Sequence, residues 1–315
     1  MFERLASVAA AQAVDALIGE PDALWSRFPH PVVSFGRLIG WVDRTLNFGP
    51  PRVRRWMGVV GLIISLAVAC GIAQVVALAL SVLPASIEFA VTVGIAGVLL
   101  AHRSLHEHVR AVALAPDLPA QRRALSMIVG RQTKSLDEPA IARGAIEALS
   151  ESLSDGVIAP AFWLAVGGLP GIVAYKVVNT ADSMIGHRTP RHENFGWASA
   201  RLDDAMNIVP ARLTALLTLV CARILPPRKQ VAADAGRHVS PNAGWPEAAF
   251  AHALGIALGG PRRYGERELD GAWLNGSGRE ARLANIAPAL ALSTRVGVAH
   301  AVLYGALAVL AIAIS

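Results

Sequence analysis

Between residues 57 and 87 the chain carries no charged side chain. That run exceeds the roughly 20 apolar residues a helix needs to cross a bilayer. Pro84 divides it from a second apolar run over 89–101, with Glu88 near the divide. The two read as a helical hairpin with spans over 56–83 and 85–101. Arg52, Arg54 and Arg55 precede the first span and His102-Arg103 follows the second, so the positive-inside rule holds both ends on the cytoplasmic face. A third span, 296–314, begins just after Arg295.

Composition agrees. Of 315 residues, 54% are apolar before the 28 glycines are added, and 17% are charged. Soluble domains average about 45–50% apolar with glycine included and about 25% charged. Mean hydropathy is +0.46. These values exclude a wholly soluble or disordered chain, and two cysteines exclude a disulfide-stapled one. The net charge of +6 does not read as a nucleic-acid footprint, because the basic residues flank apolar runs and are not interleaved with aromatics. Cys70 and Cys221 lie in apolar surroundings and read as buried small hydrophobes. Residues 5–14 form an apolar run after Arg4, but Asp15 closes it and Gly19-Glu20-Pro21 follows, so it reads as an amphipathic helix at the membrane and not as a cleaved leader.

Two further apolar stretches leave the topology open. The segment 157–178 is broken by Gly167-Gly168-Leu169-Pro170-Gly171 into halves too short to cross alone, and 208–225 carries Pro210, Arg212 and Arg223. If both cross, there are five spans and the polar loop 179–207 faces outside. If neither does, there are three spans and 102–295 is cytoplasmic. A cytoplasmic substrate favours re-entrant or protein-buried hairpins. Elsewhere helical spacing covers 121–129, 139–153 and 245–258, the second opened by Asp137-Glu138-Pro139 and the third ended by Gly259-Gly260-Pro261. No strand alternation or internal repeat is seen. The fold class is an all-α, polytopic integral membrane protein with three to five spans and a helical cytoplasmic portion, read as one domain over 1–315.

Chemistry concentrates between Glu147 and Arg212. Glu147, Glu151 and Asp155 recur every four residues, which aligns three carboxylates on one helix face. Their repulsion would be relieved by a cation or a cationic substrate, or the stripe is simply solvated. Asn179, Asp182 and Arg188 follow an apolar run containing Lys176. Carboxylate and amide oxygens suit a hard cation, and arginine forks onto phosphoryl oxygens. Asp203 and Asp204, with Asn207 one turn on, carry the stronger signal for Mg²⁺ on a phosphate. Arg201 and Arg212 flank them. No G-x-x-x-x-G-K-[ST] or strand-borne G-x-G-x-x-G occurs, and no HExxH. The cluster His102, His106 and His108 reads as an interfacial helix face.

These segments resemble the CobD/CbiB family of cobalamin biosynthesis nearly end to end. The resemblance is carried by Gly19-Glu20-Pro21, Pro29-His30-Pro31-Val32, Gly36-Arg37-Leu38-Ile39 and Ile128-Val129-Gly130-Arg131. It continues through Asp155-Gly156-Val157-Ile158-Ala159-Pro160, Tyr175-Lys176-Val177-Val178-Asn179-Thr180, Asp182-Ser183-Met184, Ala200-Arg201-Leu202-Asp203-Asp204 and Pro210-Ala211-Arg212-Leu213. Ser240-Pro241-Asn242-Ala243-Gly244-Trp245 and Leu258-Gly259-Gly260-Pro261 complete it. The chain departs from the family's usual pattern at Gln132 and at Ser152-Leu153-Ser154.

The resemblance implies an enzyme of the inner cell membrane, its active face cytoplasmic, that joins adenosylcobyric acid to (R)-1-amino-2-propanol or its O-phosphate. It implies that ATP and Mg²⁺ are consumed, that the corrinoid is a substrate, and that a soluble partner such as the amine-supplying decarboxylase can take part. Under it, Asp203, Asp204 and Asn207 serve the metal and phosphate. Lys176, Arg201 and Arg212 face the transferring phosphoryl group. Asn179, Asp182, Arg188 and Asn242 join the substrate and ATP site, and Glu147, Glu151 or Asp155 receives the amine. Two other readings stay open: a membrane scaffold for a soluble catalytic subunit, and a Mg²⁺-dependent transferase acting on a diphosphate lipid.

Overall fold

A computed structural model describes residues 2–19, 25, 27, 29–223, 228–264, 267–269 and 271–314. Among these, five helical runs are long and apolar enough to cross a membrane: Pro51–Leu80, Ala85–Leu114, Glu138–Gly186, Trp197–Ala222 and Leu283–Ile314. The protein is a polytopic, predominantly helical membrane protein. It folds as two compact units, each assembled from separate stretches of chain: 1–100, 159–207 and 303–315 in the first, 101–158 and 208–302 in the second.

The first unit contains α1 (Phe2–Ile18), α2 (Pro31–Leu46), α3 (Pro51–Leu80) and α4 (Ala85–Val98). Proline opens α2 and α3, where a missing N–H costs nothing. Ala11 and Val14 lie against Gly97, while Glu3, Arg4 and Ser7 share a pocket with Ala85, Glu88 and Phe89, so α1 runs parallel to α4. Val8, Ala11, Ala96, Leu99 and Leu100 are buried where these helices meet α8 (Ala159–Ala181). Many outward faces of α3, such as Ile63, Ile72 and Val75, are exposed apolar surface, as a lipid-facing helix requires.

The segment α8 is not one straight helix. Gly168 has φ 63° and ψ −151°, a conformation natural to glycine alone, and Pro170 follows it. The chain reverses there. In an unbroken helix Trp163 and Gly171 would be about 12 Å apart, yet the Trp163 carbonyl lies where a side chain on Gly171 would begin. Both arms reach the same turn of α9 (Trp197–Ala222): Trp163 Nε1 donates to the Met206 carbonyl at 3.1 Å and the Tyr175 hydroxyl to Asn207 Oδ1 at 2.9 Å. Pro210 explains the first bond. Lacking an N–H, it leaves the Met206 carbonyl without its helical donor, and the Trp163 indole supplies one. The helix α9 therefore continues through Pro210.

The second unit packs α5 (His102–Leu114), α6 (Leu118–Ser126), α7 (Glu138–Leu153) and α11 (Gly244–Leu254) around Val109, Leu125, Ile141, Ile146, Leu149 and Phe250. Asp117 and Asp137 cap α6 and α7 through Ala120 N (2.7 Å) and Ala140 N (2.9 Å). Helix α11 ends earlier than its apolar pattern suggests, because Gly255 adopts φ 64° and caps it. Beyond α10 (Arg228–Ala235) and α11, two antiparallel ladders pair β1 (Leu258–Gly259) with β4 (Trp273–Leu274) and β2 (Arg262–Tyr264) with β3 (Arg267–Leu269). Strands this short show no alternation in sequence. A final helix, α12 (Ile286–Ile314), supplies residues to both units. Cys70 and Cys221 are half-buried, less enclosed than their sequence neighbours suggest.

The reversal can be tested directly. Gly171→Val is expected to lower the midpoint of thermal unfolding in detergent by about 5 °C, from an overpacking cost of about 1–3 kcal/mol. Gly71→Val, where nothing lies within 4 Å of an added Cβ, should leave it unchanged.

Candidate active site

Tyr175, Asn179 and Asp182 fall at i, i+4 and i+7 and so share one face of the returning arm. Asp203 and Asn207 form the matching face of α9. The two faces meet antiparallel: Asn179 Nδ2 donates to Asp203 Oδ1 at 3.3 Å, and Tyr175 donates to Asn207 as above. Asn207 Nδ2 also donates to Asp203 Oδ2 at 3.0 Å and to the Asp203 carbonyl at 3.2 Å. Asp203 (9% exposed) and Asn207 (1%) are thus held in a chain of hydrogen bonds from Tyr175 through Asn207 to Asp203.

Asp182 opens a π-helical turn, Asp182–Gly186, immediately after the returning arm. A side chain on Gly186 would collide with Asp182 Oδ1, so glycine gives the carboxylate its place. The charges of Asp182, Asp203 and Asp204 lie within interaction range of one another. Asp204 is half-buried and pairs with Arg201 Nη1 at 3.7 Å. Lys176 is buried on the same arm, its carbonyl accepting from Thr180 Oγ1 at 2.6 Å. Arg188 is exposed beyond the π turn. Among the described residues no three His, Cys, Asp or Glu side chains gather at metal-ligand distance. The donor set suits Mg²⁺ all the same, because that ion is usually held by one or two carboxylates and completes its shell with water and phosphate oxygens.

The basic end of α3 belongs to the same end of this unit. The Phe195 carbonyl lies against Gly58, and the Arg55 guanidinium stacks 3.8 Å above the Trp197 ring. Asp43 on α2 takes Arg191 Nη2 at 2.6 Å and Asn47 Nδ2 at 2.7 Å. Burial alone raises its carboxyl pKa, but the bonds from Asn47 and Arg191, with the Arg191 and His192 charges, outweigh burial and hold it below the ordinary 3.8.

The remaining sequence candidates lie in the second unit. Glu147 is 5% exposed; its Oε2 pairs with Arg131 Nη2 at 3.0 Å and its Oε1 accepts Gly259 N–H at 2.7 Å. A cation therefore does relieve this carboxylate, and it is the chain's own. Glu151 is exposed. Asp155 stands in a π turn, Ser154–Ile158, so the helical spacing that would align it with the other two ends before it. Arg212 Nη1 donates to Asn242 Oδ1 at 3.2 Å, and its guanidinium lies 4.8 Å from the Trp245 ring, which unites two motifs 30 residues apart. Reading the sequence for charge passed over Tyr175, Arg131 and Glu247. Tyr175 and Arg131 stand in segments that carry the family resemblance, and the four-residue spacing from Tyr175 to Asn179 was a further signal for Tyr175.

The model of the family described as CobD/Cbib protein matches residues 8–293. The chain belongs to the CobD/CbiB family. It is 49% identical over 306 residues to the cobalamin biosynthesis protein CobD of Rhodobacter capsulatus, covering 94% of this chain and 95% of that protein. It is 45% identical over 318 residues to the protein of the same name from Sinorhizobium sp, covering 96% and 95%. With that of Brucella suis biovar 1 it shares 46% over 292 residues, covering 89% of each. No solved structure matches.

Two predictions follow from the hydrogen bonds. Asn207→Ala leaves Asp203 short of a buried donor and is expected to destabilise by about 1–3 kcal/mol, against about 1 kcal/mol for Tyr175→Phe. The double mutant should fall clearly short of the sum in detergent unfolding, since both changes break one shared bond. A carboxyl whose pKa is depressed on folding stabilises above its unfolded pKa and loses that contribution as pH falls through the folded value. Asp43→Asn should therefore lower the melting temperature at pH 7, and the gap should shrink as pH drops below 3.8.

Proposed function

We propose that this chain acts in cobalamin biosynthesis by forming the amide between the free carboxylate of adenosylcobyric acid and (R)-1-amino-2-propanol or its O-phosphate, with ATP consumed. The observation that carries the reading is the Asn179–Asp203–Asn207–Tyr175 chain of hydrogen bonds beside Asp182, within a family whose curated members are named for this pathway.

A carboxylate is a poor electrophile. Its oxygen attacks the γ-phosphorus of ATP, ADP leaves, and an acyl phosphate forms. The amine nitrogen then attacks the acyl carbon, the C–N bond forms, phosphate departs, and the nitrogen gives up a proton. Mg²⁺, when bound, neutralises charge on the phosphate oxygens. Asp203 and Asp182 would hold it, and Asn179 and Asn207 keep the Asp203 carboxylate in one orientation. Lys176, Arg201 and Arg188 offer positive charge to the transferring phosphoryl group. Asp204 positions Arg201 through their ion pair. Arg212 and Asn242 act together as one anchored pair toward substrate. Of the three carboxylates before the hairpin, Glu151 is the one accessible to receive the amine's proton, because Glu147 is committed to Arg131 and Gly259.

Arg54, which donates to the Pro190 carbonyl, and Arg55, which stacks on Trp197, lie beside the segment that leads into α9, and this supports a cytoplasmic active face in the inner membrane. Asp203→Ala is expected to cut amide formation by about a hundredfold or more and to change the Mg²⁺ concentration needed for half-maximal rate, read as amide product by mass in detergent. Unchanged rate and unchanged Mg²⁺ dependence would remove the metal–phosphate assignment.

A further inference from the structure

A cavity of about 290 Å³ lies in the first unit between α1, α3, α4 and the tip of the reversal at Gly168. Its walls follow from helical spacing. Ala85, Glu88, Phe89 and Thr92 fall at i, i+3, i+4 and i+7, which is one face of α4, and Glu3 and Ser7 fall one turn apart on α1. From α3 comes Gln74, the one amide in the uncharged run 57–87. Gln74 stands about 28 Å along the helix from Arg55, close to the thickness of a bilayer's hydrocarbon core. The cavity therefore sits at the end of the span remote from the basic cluster.

The tip carries polar backbone that hydrocarbon cannot satisfy. Arg4 Nη1 donates to the Val166 carbonyl at 3.3 Å, and a Cβ on Gly168 would stand 3.7 Å from Arg4 Nε, so the guanidinium lies against the tip. Gly167, also on the lining, has nothing within 4 Å of an added Cβ. Glu3, Arg4 and Glu88 all line this cavity, yet among the described residues neither carboxylate forms an ion pair with Arg4.

We propose that this cavity binds the headgroup of a phospholipid that carries both a phosphate and a primary ammonium, as phosphatidylethanolamine does. The charges select it. Separated charges of both signs are matched by a ligand that holds both, with Arg4 taking the phosphate and Glu3 and Glu88 the ammonium. That ammonium brings three N–H donors, and the side-chain oxygens of Gln74 and Thr92 are further acceptors for them. A choline headgroup brings no such donor, and a glycerol headgroup sets a net anion against two carboxylates. The volume falls at the small end of ligand pockets, which run about 300–1,000 Å³, so it admits a headgroup and excludes a corrinoid. Position selects a lipid over a soluble phosphate ester. Phe89, 36% exposed, carries the lining onto the apolar outside of the helices, and Leu78, one turn from Gln74 on α3, is 59% exposed. Acyl chains leaving the cavity meet that surface. The bound lipid covers the polar tip and so holds the reversal from which the returning arm descends.

This site is independent of the amide-forming reading, and neither ATP nor corrinoid enters its test. The full chain, delipidated in detergent, is titrated with phosphatidylethanolamine, phosphatidylcholine and phosphatidylglycerol and followed by native mass spectrometry and thermal unfolding. A single phosphatidylethanolamine per chain should bind about tenfold or more tighter than either other lipid and raise the melting temperature. Glu88→Gln should erase the preference over phosphatidylcholine, and Arg4→Gln should weaken all three lipids. Gly167→Leu adds bulk in open space and removes no charge; it should weaken phosphatidylethanolamine by a similar factor, and it reads the site even where a charge variant unfolds. Equal binding of the three lipids, or an unchanged preference in both Glu88→Gln and Gly167→Leu, overturns the site. Glycerophosphoethanolamine, the same headgroup without acyl chains, binding as tightly as the lipid overturns it in favour of a water-soluble phosphate ester. No bound lipid at all makes the cavity a water-filled vestibule and overturns it as well.

Discussion

The reversal of the chain at Gly168 is the constraint on which the first unit depends. A membrane-embedded turn must satisfy its own backbone or be covered by protein. Here two arms descend from one tip onto the same turn of α9. Pro210 exposes the Met206 carbonyl and the first arm fills it with Trp163; one residue on, Asn207 receives Tyr175 from the second arm. A helix-breaking residue in one segment thus becomes the docking point for another. With that docking fixed, the spacing of the second arm delivers Asn179 to Asp203 and ends the helix in a π turn that presents Asp182.

The second unit answers a different problem, that of burying charge. Glu147 is expensive to bury, and it is kept by a close guanidinium and a backbone N–H from the β1 strand. The same pairing leaves Arg131 with one side matched and its Nε buried without a hydrogen-bond partner among the described residues. Polar residues in this unit otherwise lock elements together: Asp234 takes Arg237, His252 Nε2 at 2.8 Å and Asn275 N–H at 2.8 Å, tying α10 to α11 and the end of β4.

Much of the helical architecture was legible because apolar runs and caps act locally. The uncharged run after Arg55, the Asp137 cap and the Gly167–Gly171 break each announce themselves within a few residues. Asp203, Asn179, Asn207 and Asp182 were also legible as one chemistry, since oxygen-bearing side chains cluster around two apolar segments. What stayed hidden depends on tertiary placement. The partner of Glu147 is 16 residues away in a loop, and no spacing rule joins them. The π turn at Ser154 displaces Asp155 from a face that ideal helical geometry would give it. Tyr175 is one aromatic among apolar neighbours until Asn207 is placed beside it. The short ladders around Gly259 arise from turns and closure, which leave no period to read.

The central claim is that ATP activates the corrinoid carboxylate by phosphorylation before the amine attacks. The most direct measurement supplies the purified chain with adenosylcobyric acid carrying ¹⁸O in its reacting carboxylate, together with ATP, Mg²⁺ and aminopropanol or its phosphate. The account predicts amide product and one ¹⁸O atom in the released inorganic phosphate. Label appearing in AMP, or no amide from the purified chain with either amine, would contradict it.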